Sequence, residues 1–118
     1  MMKKYKLIEI AYLDTGPGLK PGAGIWITST DEGEIASLFE ELKKRISSAA
    51  LELRWKALDS GLTLRGRITK LGNRDAEAAW LLLTILGEQG WEPFSVLKTG
   101  PGSDEDWYHY HYRQEIVD

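Results

Sequence analysis

Two histidines, His109 and His111, stand two residues apart in an aromatic run, WYHYHY, near the end of a 118-residue chain. On a strand, side chains two apart share a face. The pair would therefore project with Trp107, Arg113 and Glu115, and Tyr108, Tyr110, Tyr112 and Ile116 would lie opposite. A His-x-His pair can ligate zinc or act as a general base. A third ligand would have to come from Glu115 or a neighbouring strand, and a plainly wet sheet face would carry the same residues. The sequence has no cysteine, so thiolate metal sites, thiol nucleophiles and disulfides are excluded. No metal or cofactor is implied.

A second group of chemically able residues is basic. Arg54, Lys56, Arg65 and Arg67 fall on one side of two alternating stretches, with Lys70 and Arg74 close behind. The guanidinium fork matches phosphate oxygens, so this side suits a phosphate-bearing ligand. Equally, it could be solvated or matched by acidic residues. The candidate ligand-binding set is Arg54, Lys56, Arg65, Arg67, His109, His111 and Arg113. Residues 43–74 hold nine basic and two acidic residues, a net of +7, within a chain of net charge -3, and residues 75–118 carry -7. Nucleic acid is disfavoured, because the overall charge is negative and aromatics do not interleave with these arginines in sequence. Two identical loops, Thr15-Gly16-Pro17-Gly18 and Thr99-Gly100-Pro101-Gly102, lack the Gly-Lys-Ser/Thr of a phosphate loop and read as turns. Trp55, Trp80 and Trp91 fall in packed patterns, whereas Trp26 and Trp107 sit beside loops and could line a pocket.

These residues need elements to hold them. Residues 4–13 and 25–28 are rich in Ile, Leu, Tyr and Trp and predict two strands around a Gly/Pro-rich loop. Asp31 predicts a helix N-terminus, with Glu34 three residues on as in a capping box. Ile35, Leu38, Phe39, Leu42 and Ile46 then form one apolar stripe. Residues 51–57 and 62–69 alternate around Asp59-Ser60-Gly61 as a hairpin with one dry and one basic face. A second helix is expected from an Asn73 cap, with Asp75 and Glu77 at its positive end. Residues 78–86 are apolar except Thr84. That run is too short to cross a bilayer, which takes about 20 residues, and too apolar for a helix with one wet face. It should be covered beyond its sheet-facing side, by the rest of the chain or by a second copy. Gly90 is the expected left-handed cap. The following strand carries Pro93 near its start, which suits an edge. The order is β-β-α-β-β-α-β-β. The expected architecture is a single α+β domain over residues 1–118, an antiparallel sheet of about six strands with two helices on one face.

The run Leu83-Thr84-Ile85-Leu86-Gly87-Glu88-Gln89-Gly90-Trp91-Glu92, continuing to Ser95-Val96, resembles the small domain of unknown function 4177 family. The opening Lys3-Lys4-Tyr5-Lys6 and the closing aromatic strand with Arg113 are also similar. Residues from about 16 to 72 would be an insertion. The resemblance implies a helix, a Gly-Trp-Glu junction and a hairpin, in a bacterial or phage setting. It implies no activity and transfers no catalytic residue.

Three functions follow as expectations. The first is a non-enzymatic binding or regulatory module that self-associates, a dimer being the simplest form, because of the apolar helix and the uneven charge. The second is a binder or sequesterer of a phosphorylated or nucleotide-like small molecule through Arg65 and Arg67. The third is a small enzyme or metal protein using His109, His111 and Glu115. No signal-peptide pattern opens the chain, so a cytoplasmic protein with no membrane association is expected.

Overall fold

A computed structural model describes residues 3–14, 24–29, 31–46, 51–57, 64–71, 74–99 and 106–117. The expected order is found: β1 (Tyr5–Asp14), β2 (Ile25–Ser29), α1 (Glu32–Arg45), β3 (Glu52–Ala57), β4 (Leu64–Thr69), α2 (Asp75–Glu88), β5 (Glu92–Thr99) and β6 (Asp106–Glu115). The strands make one antiparallel sheet in the order β3-β4-β2-β1-β6-β5. Each helix carries the chain from an interior strand, β2 or β4, to an outer edge, and the next hairpin pairs inward from there.

Register sorts the side chains between the two faces. Leu53, Ile68, Ile25, Tyr12 and Tyr108 form one cross-sheet row, and Gly66, Ile27, Ile10, Tyr110 and Val96 form another. Both rows lie on the face that the helices cover. Ile10, Ile25, Ile27 and Ile68 are fully buried there, against Ile35, Leu38 and Leu42 of α1 and Leu82, Ile85 and Leu86 of α2. The tyrosine side of β6 packs as expected: Tyr12 stacks on Tyr108 and Tyr110 at 5.7 and 6.0 Å between ring centres.

The helix ends follow their sequences in part. Asp31 caps α1, its Oδ1 accepting from Gly33 N at 2.8 Å. The reciprocal half of the capping box does not form: Asp31 N donates to Ser29 Oγ at 3.1 Å, and Glu34 Oε1 accepts from Lys6 Nζ at 2.9 Å. For α2, Arg74 occupies the cap position and makes no side-chain cap bond; Asn73 lies outside the described residues. At the other end Gly90 takes φ +85. Trp91 N donates to Leu86 O at 2.9 Å and Gly90 N to Gly87 O at 3.1 Å, the paired closure that a left-handed residue permits. Gln114 of β6 adds a bond from Nε2 to Gln89 O at 2.8 Å.

The apolar second helix is covered by its own chain. Ala78, Ala79, Leu82, Leu83, Ile85 and Leu86 are buried against the sheet and α1, and Trp80, expected in the core, is instead 61% exposed. The need for a second copy over this helix thereby shrinks to one indole. Apolar exposure lies elsewhere, on β5, where Phe94, Val96 and Leu97 are each about half exposed. β5 is a sheet edge, as Pro93 suggested.

Candidate functional site

No described helix covers the opposite face of the sheet, and both predicted groups of polar residues lie there. One row runs Arg54, Arg67, Trp26, Ala11, His109, Leu97 across all six strands. The next runs Arg65, Thr28, Glu9, His111, Ser95, with Lys56 pairing Arg65 at its β3 end. Apart from Lys56, which is placed by backbone register alone, strand alternation puts these residues together, because each contributes from the side of its strand that the core does not use.

The arginines of β4 converge on an aromatic ring that the sequence did not place beside them. Arg65 and Arg67 carry their guanidinium carbons 5.1 and 5.3 Å from the centre of the Trp26 ring. A cation at that separation is attracted by the ring quadrupole. Arg65 Nε also donates to Thr28 Oγ1 at 3.2 Å. Among the described residues no carboxylate forms an ion pair with Arg65.

The other predicted basic residues are matched by acids of the same chain. Glu52 accepts from Lys70 at 2.7 Å and from Arg54 at 3.4 Å. The Lys70 hydrogen bond, with these charges, holds the Glu52 carboxyl below its ordinary range. Arg74 makes a forked pair with Glu77 at 2.7 and 2.8 Å. Arg113 bonds to Glu92 at 3.3 Å and lies over Tyr5 and Phe94, at 4.7 and 5.6 Å. The side chain of Lys56 is outside the described residues. Arg65 and Arg67 are the two basic residues of this face that lie on Trp26, and the charge of Arg67 also acts on the Asp75 carboxylate.

His109 and His111 do share a face, and their partner is neither Glu115 nor a metal ligand set. Glu9 of β1 takes both: its Oε1 is 3.2 Å from His109 Nδ1 and its Oε2 is 2.9 Å from His111 Nε2. Glu115 instead approaches Lys3 at 4.0 Å. Among the described residues no group of three or more His, Asp or Glu is arranged to hold a metal ion. Ala11 sits between Trp26 and His109 in register, and although no helix lies over it, only 2% of it is exposed. Its neighbours' longer side chains therefore cover it, and the surface between the indole and the imidazole is made by them and not by Ala11.

No protein-family model, curated protein or solved structure matches this chain. Among the described residues no helix is long and apolar enough to cross a membrane. Reasoning on the sequence missed Glu9, and it singled out Trp26 as a residue that could line a pocket without joining it to Arg65 and Arg67. A signal existed for each. Glu9 is the one charged residue in the stretch LIEIAYL, and Trp26 alternates with Ile25 and Ile27, so both had to point away from the core.

Proposed function

We propose that this chain is a small binding module that takes a phosphate-bearing small molecule on the uncovered face of its sheet, at Arg65, Arg67 and Trp26. One observation carries the reading. Arg54, Lys70, Arg74 and Arg113 are each held by a carboxylate of the same chain, whereas Arg65 faces an indole and a hydroxyl. A guanidinium kept on an aromatic surface is pre-ordered and weakly hydrated, so it meets an anion at a low cost in side-chain freedom. The negative net charge of the chain and the acids Glu9, Glu52 and Glu92 on or beside this face favour a compact anion over a polyanion. Ribose 5-phosphate is a suitable probe. Calorimetric titration should give binding that weakens as salt rises and disappears in Arg65→Ala/Arg67→Ala. Affinity unchanged in that double variant would sink the proposal.

Self-association is a second reading, favoured by a different observation. β5 ends the sheet and presents Phe94, Val96 and Leu97 to solvent. An exposed apolar edge strand is a template for another chain, and the partner proposed is a second copy. Light scattering after size exclusion should give a dimer mass that reverts to the monomer in Val96→Lys/Leu97→Lys. A monomer at tens of micromolar in the unaltered protein retires this reading.

A further inference from the structure

We infer that β5 pairs edge to edge with β5 of a second copy, antiparallel about a two-fold axis between Val96 and the partner's Val96, so that two six-stranded sheets join into one. This rests on the self-association reading above and adds how the copies meet: through backbone, in one register and as a closed pair.

The ladder shows which backbone groups of β5 face outward. Ile116 N donates to Lys4 O at 2.8 Å, one step beyond the Tyr5–Glu115 pair. Opposed residues of an antiparallel pair alternate between bonded and unbonded. The residues of β6 in step with Ile116, Tyr110 among them, therefore turn their backbone groups to β1, and those between, His109 among them, turn theirs to β5. Leu97, opposite His109, is bonded inward, whereas Val96, opposite Tyr110, turns its N–H and C=O to the open edge. The side chains agree. Val96 lies on the helix side of the sheet, and Leu97 lies on the uncovered side with Phe94, whose ring is 6.0 Å from that of His111. The helices lie chiefly over β1, β2 and β4, so β5 keeps apolar side chains in water on both of its sides. A copy stacked on either face would cover one set only. A strand added at the edge flanks both and takes up the two backbone groups of Val96.

Charge and chain shape select the register and the closure. With the axis at Val96, that residue and the partner's Val96 form a bonded pair, and Leu97 meets the partner's Ser95. An axis at Leu97 would instead bring the two Lys98 side chains to diagonal positions about 7–8 Å apart, where like charges oppose pairing. Pro93, which has no N–H, and the bulge between Pro93 and Ser95 end the ladder on that side. The other sheet edge, β3, is of a different kind: Glu52 and Arg54 are charged and ion-paired within the chain, which guards an edge against pairing. A join of β5 to a partner's β3 would be head-to-tail and open-ended, whereas β5 on β5 closes at two copies. The two uncovered faces then form one surface.

The test joins amide hydrogen exchange to light scattering on the full chain. Exchange at Val96 should slow about tenfold or more between dilute protein and protein that is about nine-tenths dimer, because it then proceeds through the remaining monomer. The Leu97 amide, bonded within the chain, should be protected at both concentrations. Val96→Pro removes the outward N–H and keeps an apolar side chain, and proline is tolerated where an edge N–H faces solvent. It should raise the dimer dissociation constant about tenfold or more through the lost backbone bonds, with its fold checked by circular dichroism. Should that variant fail to fold, exchange in the unaltered protein decides alone. A dimer whose Val96 amide exchanges as fast as in the monomer, or which persists in folded Val96→Pro, overturns this inference and leaves self-association through apolar side chains standing. Mass that keeps growing with concentration overturns the two-fold closure. A monomer at every concentration overturns both.

Discussion

Glu9 and His111 meet across the β1–β6 pairing at 2.9 Å, Oε2 to Nε2, while the other oxygen of the same carboxylate lies 3.2 Å from Nδ1 of His109. One acceptor therefore imposes opposite tautomers on two imidazoles of one strand. With both rings neutral, His109 must carry its proton on Nδ1 and His111 on Nε2, because the carboxylate has none to give. Nitrogen NMR of the ring atoms should resolve one tautomer of each kind. Glu9→Gln retains a single acceptor oxygen, so one of the two rings must change. Two identical tautomers in the unaltered protein would contradict the shared-carboxylate geometry.

A second ion pair bears on the helices instead of the site. Arg45, at the end of α1, makes a forked bond to Glu88, at the end of α2, with N–O distances of 2.6 and 2.8 Å. The Arg45 hydrogen bond holds the Glu88 carboxyl below its ordinary range. A carboxyl with a depressed folded value adds stability above its unfolded value and loses it as pH falls through the folded one. Arg45→Glu should lower the melting temperature at neutral pH, and adding Glu88→Arg should recover part of the loss. Because the pair is exposed, the recovery should shrink in high salt. Identical melting temperatures for single and double variants would mean that the pair holds nothing.

Asp75 has the opposite sign. Burial at the first turn of α2 raises its carboxyl above the ordinary aspartate range, against the lowering effects of the Gly24 amide and the Arg67 charge. Its Oδ2 accepts from Gly24 N at 3.2 Å, and its Oδ1 is buried without a partner. A raised folded value means the native state prefers the protonated acid. The cost to stability is then fully present above the folded value and vanishes below the unfolded one. Asp75→Asn should therefore melt higher than the unaltered protein at pH 7, with the difference closing as the solution is acidified. The helix dipole opposes this gain by about 0.3–1 kcal/mol, so a modest rise is expected. A variant that melts lower at pH 7 would show that the dipole outweighs burial.

Periodicity carried most of the fold. The stripe Ile35, Leu38, Phe39, Leu42 and Ile46 is buried as a unit, and the alternation of residues 51–57 and 64–69 matches their pairing. Those features are local, set by side chains a few positions apart. What the sequence could not supply was lateral. Nothing in residues 25–29 says that β4 lies beside them, so Trp26 could not be joined to Arg65 and Arg67. Nor does the histidine run say that Glu9, about a hundred positions earlier, supplies its acceptor. Trp80 was misplaced for a related reason: a continuous apolar run marks a covered helix but not which residue faces outward. The two Thr-Gly-Pro-Gly repeats fall on residues outside the described set, apart from the backbone of Thr99.

Two glycines should respond to alanine in opposite directions. Gly24 enters β2 at φ +78, a region where an L side chain is strained. A Cβ there would lie 2.5 Å from the carbonyl oxygen of Ile68 and 3.2 Å from Nε of Arg67. The Ile68 backbone is held between β2 and β3 by the sheet ladder, so it cannot retreat as a side chain could. Gly24→Ala should cost about 2–5 kcal/mol, from conformational strain and overpacking together. It should also weaken phosphate binding by displacing Arg67. Gly87 lies in the last turn of α2, and a Cβ added there would meet nothing within 4 Å beyond its chain neighbours and the nearby backbone of its own helix. Gly87→Ala removes the flexibility of glycine from a helix and should add about 0.5–1 kcal/mol. Chemical denaturation of the two variants beside the unaltered protein decides both. A stable Gly24→Ala protein would mean that the β2 entry can re-form without its left-handed residue.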